Sequence, residues 1–403
     1  MSLAPYLRRV EALEPLVKSL CDEPGRLERL AREYSAGSLL FGVKDNMACD
    51  AGLPPARCGA RLPASAHAVN AGPEATVVRR LRAGGGTVLG KTRLAEFAAL
   101  SPPETRNPRD LDRTPGGSSS GSAAAVAAGF CDAALGTQTI GSIGRPAAFC
   151  GVVGFAPSVG RVPRDGVDAY STSVDVVGCL AKDVSTASRV AACIVDDFDE
   201  ASPEAGPRSL FVPQGAYLSG CFDETARRLF EGALEALARC PGVAVVRRGG
   251  VLDDIEAVAA RHRELINAEL AEAHADRFAV FGELYSPATR ALVLDHRQPP
   301  SEAARASPLE TRERLHRALA GHAAFVTPGA ASGVAPTGLE TTGDPAAQLP
   351  WSHAGMPSLT LPAGSWRGLP HAIQLVAPHG DDEALLRLGA LLERDVFPPS
   401  SLS

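Results

Sequence analysis

Residues 114–162 read TPGGSSSGSAAAVAAGFCDAALGTQTIGSIGRPAAFCGVVGFAPSVGRV. Small residues crowd this stretch, so whatever it builds packs closely against its neighbours. Its AAAVAA centre predicts a helix, PGGSSSG a loop entering that helix, CDAALG a strand, and TQTIGS a second tight loop after the strand. Working outward, residues 5–35 carry apolar residues at helical spacing, SLLFGV ending at Lys44 and Asp45 reads as a strand, and a helix spans about 74–83 before a strand TVLG. TRLAEFAAL reads as a further helix. Beyond Asp183, helices near 184–196, 223–239, 253–279, 286–295, 308–321 and 381–393 alternate with the short strands SLFVP, VAVVR, AFVTP, SLTLP and AIQLV. That alternation points to an α/β sheet covered by helices on both faces. The linker-like DEASPEAGP at 199–207 is not taken as a domain boundary, because the later strands need a sheet to join.

The chain has 403 residues, 45% hydrophobic and 21% charged, which excludes intrinsic disorder. A formal charge of −6 gives no electrostatic footprint for nucleic acid or an anionic membrane. Nine cysteines without CxxC spacing fit a reduced, cytoplasmic protein, and no secretion signal is visible at the N-terminus. The longest apolar stretch, near Ala123–Cys131, is about half of what a membrane-spanning helix requires. Only four of the 40 basic residues are lysines, at 18, 44, 91 and 182. A lysine in so arginine-rich a chain can mark a place where an amine must be able to lose its proton, although chance retention at the surface is the simpler reading of any single one.

Ser118, Ser119, Ser120 and Ser142 lie in two Gly-rich loops and are candidates for nucleophilic catalysis. A serine hydroxyl needs a base to remove its proton, and glycine turns let a carbonyl approach backbone N–H groups. From composition alone two polar turns would look the same. Histidine is the usual base, and none of the nine is near these loops in sequence. Lys44 is the other option, because partial burial at the end of FGVKDN would depress its pKa.

Four blocks together resemble the amidase signature family of Ser-cisSer-Lys amide hydrolases: GVKDN at 42–46, GKTRLAEFA at 90–98, RNPRDLDRTPGGSSSGSAAAVAAG at 106–129 and ALGTQTIGSIGRPAAFCGVVGFAPSVGRV at 134–162. PWSHAGMPSLTLPAG (350–364) and GLPHAIQLVAPHGDDEALL (368–386) are similar to the family's return to its sheet. The resemblance implies one large α/β domain with a central mixed, twisted sheet covered on both faces. Within it, 1–40 would be an N-terminal helical segment, 41–185 a catalytic core, 186–349 a helical, substrate-covering part, and 350–403 the C-terminal return. It further implies Lys44 as the base, Ser118 as the bridging serine after a cis peptide, and Ser142 as the nucleophile. Its bridge and nucleophile are 24 residues apart, a spacing that selects Ser118 over its two neighbours. The N–H groups of Thr139, Ile140, Gly141 and Ser142 would hold the oxyanion, with Gly117, Ser119 and Arg145 binding substrate or supporting the loops. No cofactor and no metal are expected, and the partners are a small-molecule amide and, at most, a second copy of the chain.

Two positions depart from the family. Ile140 stands where a glycine is usual before the nucleophile, so either that residue has an ordinary backbone conformation or the oxyanion loop is distorted. Ser120 stands where glycine is commoner and should cost nothing. An amide-forming acyltransferase, a glutaminase-like component of a tRNA-dependent amidotransferase, and a binding protein disabled by Ile140 are the alternatives. GGTVLGKT at 85–92 matches a phosphate-loop pattern, but a helix precedes it and its centre reads as a strand, which argues against that role. Arg145 is read as tying backbone carbonyls in preference to clamping a substrate carboxylate. Asp45 and Asp175 are read as loop organisers, and Lys91 as a structural donor near the site.

Overall fold

A computed structural model describes residues 2–50, 52–199 and 208–398. The linker-like segment at 199–207 lies outside the described residues except for Asp199. Ten strands form one sheet: β1 (Leu39–Lys44), β2 (Gly86–Thr92), β3 (Ala133–Gln138), β4 (Val153–Ala156), β5 (Val176–Ala181), β6 (Arg208–Pro213), β7 (Val243–Arg248), β8 (Ala324–Pro328), β9 (Ser358–Trp366) and β10 (Leu369–Val376). Their spatial order is β2-β1-β3-β5-β4-β9-β10-β8-β6-β7. β1 runs parallel to β2 and β3, and β6 runs parallel to β7 and β8, while the strands between are antiparallel. The fold is thus the single α/β domain with a mixed sheet that the sequence suggests.

The described helices are α1 (Ala4–Val17), α2 (Arg26–Glu33), α3 (Thr76–Ala83), α4 (Ser120–Ala127), α5 (Gly144–Cys150), α6 (Val184–Ile194), α7 (Ala216–Gly220), α8 (Glu224–Arg239), α9 (Ile255–Phe281), α10 (Pro287–Asp295), α11 (Glu302–Ala318), α12 (Leu349–His353) and α13 (Asp382–Asp395). Because side chains alternate across a strand, each central strand feeds two cores. Phe41, Val43, Phe155, Leu210 and Val326 pack under α3, α6, α8 and α13. Leu40, Leu180 and Ala156 turn to the opposite face, against α1, α4 and α5, and Phe211, Phe325 and Val376 meet Trp351 of α12 and Leu315 of α11 there. Each buried large apolar side chain contributes about 1.5–3 kcal/mol relative to exposure.

Two expected helices are corrected. The helix over 5–35 is broken, because Lys18 adopts a left-handed conformation (φ 52°) and the Glu14 carboxylate accepts hydrogen bonds from Ser19 N (3.0 Å) and Leu20 N (2.7 Å). Leu20 then bridges to Thr92, and helix resumes only at Arg26. TRLAEFAAL contributes its first residue to β2 and otherwise forms only a single 3-10 turn, Glu96–Ala98. Tertiary bonds replace the helical ones there: Ala95 N donates to Ser118 O (3.1 Å) and Phe97 N to Cys58 O (2.8 Å). Local propensity is a weak force against such contacts. The phosphate-loop lookalike is β2 itself, as its pattern suggests. Lys91 Nζ donates to Met47 O at 2.9 Å and lies 3.4 Å from Asp45.

The small-residue stretch packs as its composition requires. α4 is buried over almost its whole length, and Gly121 N donates to Arg93 O at 2.8 Å. A Cβ on Gly121 would collide with Ser19 O and sit 2.5 Å from Arg93 N. Gly121→Ala is therefore expected to lower the unfolding free energy by about 1–3 kcal/mol, read from urea denaturation. Unchanged stability would contradict this close approach.

Candidate active site

Lys44 ends β1 and the loop after Gln138 ends β3, so the site forms at the carboxyl ends of two parallel, hydrogen-bonded strands. This is the usual place for a site in such a sheet. Ser118 and Ser119 lie just before α4, and Ser142 lies between β3 and α5. Ser119 N donates to Ser142 O at 3.3 Å, which ties the two serine loops together.

The Lys44 side chain is fully buried. Its Nζ donates to Ser118 Oγ at 2.8 Å and to Thr137 Oγ1 at 2.7 Å. Burial brings its pKa down to about 7, and the Asp175 charge opposes only part of that shift. The peptide between Gly117 and Ser118 is cis. Ser119 Oγ donates to Thr137 O (3.3 Å) and Ser120 Oγ to Gly116 O (2.7 Å), so the serine that replaces a glycine is absorbed by the loop.

The loop from Thr139 to Ser142 is held from several sides. Thr139 Oγ1 donates to Asp175 at 2.6 Å, and Asp175 also accepts from Tyr170 N (2.7 Å) and Ser171 N (3.0 Å). Asp175 is thus a loop organiser, as the sequence suggests. Asp45 acts likewise, accepting from Arg57 N at 3.1 Å. Gln138 Oε1 accepts from Ile143 N (3.0 Å) and Gly144 N (3.1 Å). Its Nε2 donates to Ser352 Oγ (3.1 Å), and that hydroxyl donates to Ile140 O. Ile140 is not among the left-handed residues, so the first of the two conformations considered for it applies. Its half-buried side chain packs against apolar groups of α12 and of α9. A Cβ on Gly141 would lie 2.7 Å from Gln348 Oε1, so a larger residue there would have to displace the Gln348 side chain.

Arg145 is buried. Its Nη2 donates to Gly117 O at 2.6 Å and to Thr342 Oγ1 at 3.3 Å. Loop support is therefore real, but Nε and Nη1 are buried without a hydrogen-bond partner. Burial lowers the pKa of this guanidinium to about 10, partly offset by Asp344. Sequence reading missed Thr137, Gln138 and Ser352, all of which fix the site. It also missed the buried pair of His262 of α9 and His353 of α12, whose Nδ1 atoms lie 3.1 Å apart. Cys58, His67 and Asp168 bring metal-ligating atoms within 4.8 Å of one another, but Arg277 Nη1 already contacts Asp168 (2.9 Å) and His67 Nδ1 (3.4 Å) there. All nine cysteines are free. Among the described residues no helix is long and apolar enough to cross a membrane.

Comparison with known proteins bears on the family and the fold. A family model described as Amidase matches residues 2–216. A glutamyl-tRNA(Gln) amidotransferase subunit from Syntrophobacter fumaroxidans is 42% identical over 206 residues, which are 46% of this chain and 41% of that protein. The matched stretch thus spans about two fifths of that relative's length. A crystal structure titled amidase superposes with a TM-score of 0.83 at 29% identity, covering 98% of this chain and 95% of that one. The native peptide amidase of Stenotrophomonas maltophilia gives 0.78 at 27% identity, covering 98% and 93%. With the family model covering more than half of its residues and the whole sheet superposing on solved amidases, the chain belongs to the amidase family.

Proposed function

We propose that the protein is an amidase that cleaves the C–N bond of a small carboxamide through an acyl-enzyme on Ser142. The observation that carries this reading is the buried Lys44 amine, with a pKa of about 7, within hydrogen-bond distance of Ser118 Oγ at 2.8 Å, so that its neutral form can accept from that hydroxyl. A neutral amine there can take the Ser142 proton through Ser118 as Ser142 Oγ attacks the amide carbon. The N–H groups of the 139–142 loop receive the negative charge that develops on the carbonyl oxygen, each worth roughly 3–4 kcal/mol in well-studied hydrolases. The relay then returns the proton to the departing nitrogen, and water releases the acid. An arginine could not begin this cycle, because it does not lose its proton. The relatives described as amidotransferase subunits leave a glutaminase-like role as the second reading.

The two unpartnered nitrogens of Arg145 support a narrower substrate class. A buried guanidinium with unused donors is costly unless an anion completes it, and Arg145 follows Ser142 by three residues. We read it as the group that selects a carboxylate on the acyl part of the substrate, while its Gly117 contact supports the loop.

Three outcomes test this reading. Ser142→Ala is expected to abolish covalent labelling by a fluorophosphonate, and labelling that persists at another serine contradicts the assigned nucleophile. For Lys44, the amine is uncharged in the fold above about pH 7, whereas the unfolded chain keeps its proton up to about 10.5. Stability conferred on the wild type relative to Lys44→Met should therefore rise between pH 7 and 10.5, and kcat/KM of the wild type should rise through pH 7 to a plateau. Melting temperatures whose difference is flat across that window would refute the depressed pKa. Arg145→Met is expected to lower kcat on a carboxylate-bearing amide and on a neutral amide of equal size alike, through the lost Gly117 contact, and in addition to raise KM for the carboxylate-bearing one alone by about 10- to 100-fold. Equal losses on both substrates would leave Arg145 with loop support alone.

A further inference from the structure

Apart from Ser118, the Lys44 amine makes its polar contacts among the described residues with one residue. Its Nζ lies 2.7 Å from Thr137 Oγ1 and 3.4 Å from Thr137 O, besides 2.8 Å from Ser118 Oγ. Thr137 Oγ1 is itself approached by Asn46 Nδ2 at 3.3 Å, and the same nitrogen reaches Asp168 O at 3.2 Å. Asp168 N returns a hydrogen bond to Asn46 O at 2.7 Å, which locks the two segments together. Lys44, Asn46 and Thr137 are all buried.

The direction of this chain is set by the partner that has no choice. Asp168 O is a carbonyl and can only accept, so the Asn46 amide must turn its nitrogen to it, and the second hydrogen of that nitrogen then faces Thr137 Oγ1. The reverse orientation would set two acceptors, Oδ1 and Asp168 O, against each other and place Nδ2 where Oδ1 now has no partner. At the other end, a protonated Lys44 has three hydrogens for three oxygens. A neutral one cannot turn its lone pair to Thr137 O, which also only accepts, so the lone pair is confined to the two hydroxyls. We infer that Thr137 is a positioning residue of the base, held by Asn46, that keeps the Lys44 amine against Ser118 in both protonation states. This rests on the amidase reading above.

The need for such a residue follows from the side chain it holds. Lysine carries a compact charge on a flexible stem with about 2 kcal/mol of rotamer entropy, and a hydrogen bond to Ser118 alone would fix its distance from that hydroxyl without fixing its direction. Thr137 adds two anchors, from its carbonyl and from a β-branched side chain stiff at χ1, on a strand hydrogen-bonded to β1 and β5. The contact also acts on the proton. A hydrogen bond from an ammonium is stronger than one from an amine, so the Thr137 hydroxyl favours the charged form and limits the depression that burial causes. The ionisable groups around the amine have partners of their own. Asp175 accepts from Thr139, Tyr170 and Ser171, and Arg164 donates to its main-chain O at 3.3 Å. Asp45 pairs with Lys91 at 3.4 Å and Asp168 with Arg277 at 2.9 Å, while burial keeps the Cys58 thiol protonated.

The test compares wild type, Thr137→Val, Thr137→Ser and Asn46→Asp by steady-state hydrolysis of an amide as a function of pH and by the rate of fluorophosphonate labelling at Ser142, with melting temperature as the folding control. Thr137→Val keeps the shape and removes the hydroxyl. It is expected to lower kcat and the labelling rate by about 10- to 100-fold with KM within about twofold, and to move the acid limb of kcat/KM to lower pH by about one unit. Thr137→Ser, which keeps the oxygen, should recover most of the rate and the wild-type limb. Asn46→Asp sets a carboxylate against Thr137 and should move the limb to higher pH. An unchanged kcat in Thr137→Val, a limb that stays in place or moves upward there, a serine variant as impaired as the valine one, or a loss confined to KM would overturn the inference. Should the valine variant fail to fold, a limb that stays in place in Asn46→Asp would overturn it equally. Labelling of the wild type at Ser142 alongside any of these results would leave the amidase reading standing, whereas a wild type that is neither labelled nor active removes both.

Discussion

Everything in the site depends on one amine held out of water. Lys44 is a charged residue type at the end of a strand whose six residues are all buried, and the protein offers its Nζ two hydroxyls, of Ser118 and Thr137, with no carboxylate of the described residues in contact. Hydroxyls can donate to the neutral amine as well as accept from it, so they satisfy the buried nitrogen without a compensating charge. Asp175 is near enough to be felt but spends its hydrogen bonds on Thr139, Tyr170 and Ser171. A salt bridge in its place would raise the pKa and keep the amine charged near neutrality.

The packing around that amine explains the run of small residues. α4 and α5 bury nearly every residue they contain, and alanine, serine and glycine let their backbones approach β3, the Arg93 segment and each other. The stabilisation lost by using alanine in place of leucine is offset by the large side chains of the opposite face, where Phe41, Phe155 and Leu359 fill the core. The result is a rigid floor on which two loops meet, with Ser119 N on Ser142 O as their contact. For the proposed reaction rigidity there matters more than bulk, since proton transfer and oxyanion binding both fail when donors are misplaced by small distances.

Much of this was legible in the sequence, for reasons that differ from element to element. Strands such as Ala324–Pro328 and helices such as Glu224–Arg239 follow from local apolar periodicity. Lys44, Ser118 and Ser142 were reached through motifs and their spacing, which a resemblance turned into roles. Thr137 could be seen only as part of a strand, because its partnership with Lys44 spans 93 residues of chain. His262 is hidden in the same way, since nothing in a long helix announces that one of its imidazoles meets His353, 91 residues later. The break after α1 and the lost helix at 92–100 share a cause: side-chain capture by Glu14 in one, backbone bonds to Cys58 and Ser118 in the other. Arg145 was read as a tie between carbonyls, which is half of what it does; only the structure exposes its two unused nitrogens.

The central claim is that Lys44 is neutral near physiological pH while remaining in contact with Ser118. Because the chain has only four lysines, labelling them with nitrogen-15 gives a spectrum simple enough to assign by comparison with Lys44→Arg. A titration of the wild type should show one side-chain amine with a midpoint near pH 7, absent from the variant. If the amine that is lost in the variant titrates near 10.5 instead, Lys44 stays protonated in the fold and cannot act as the base.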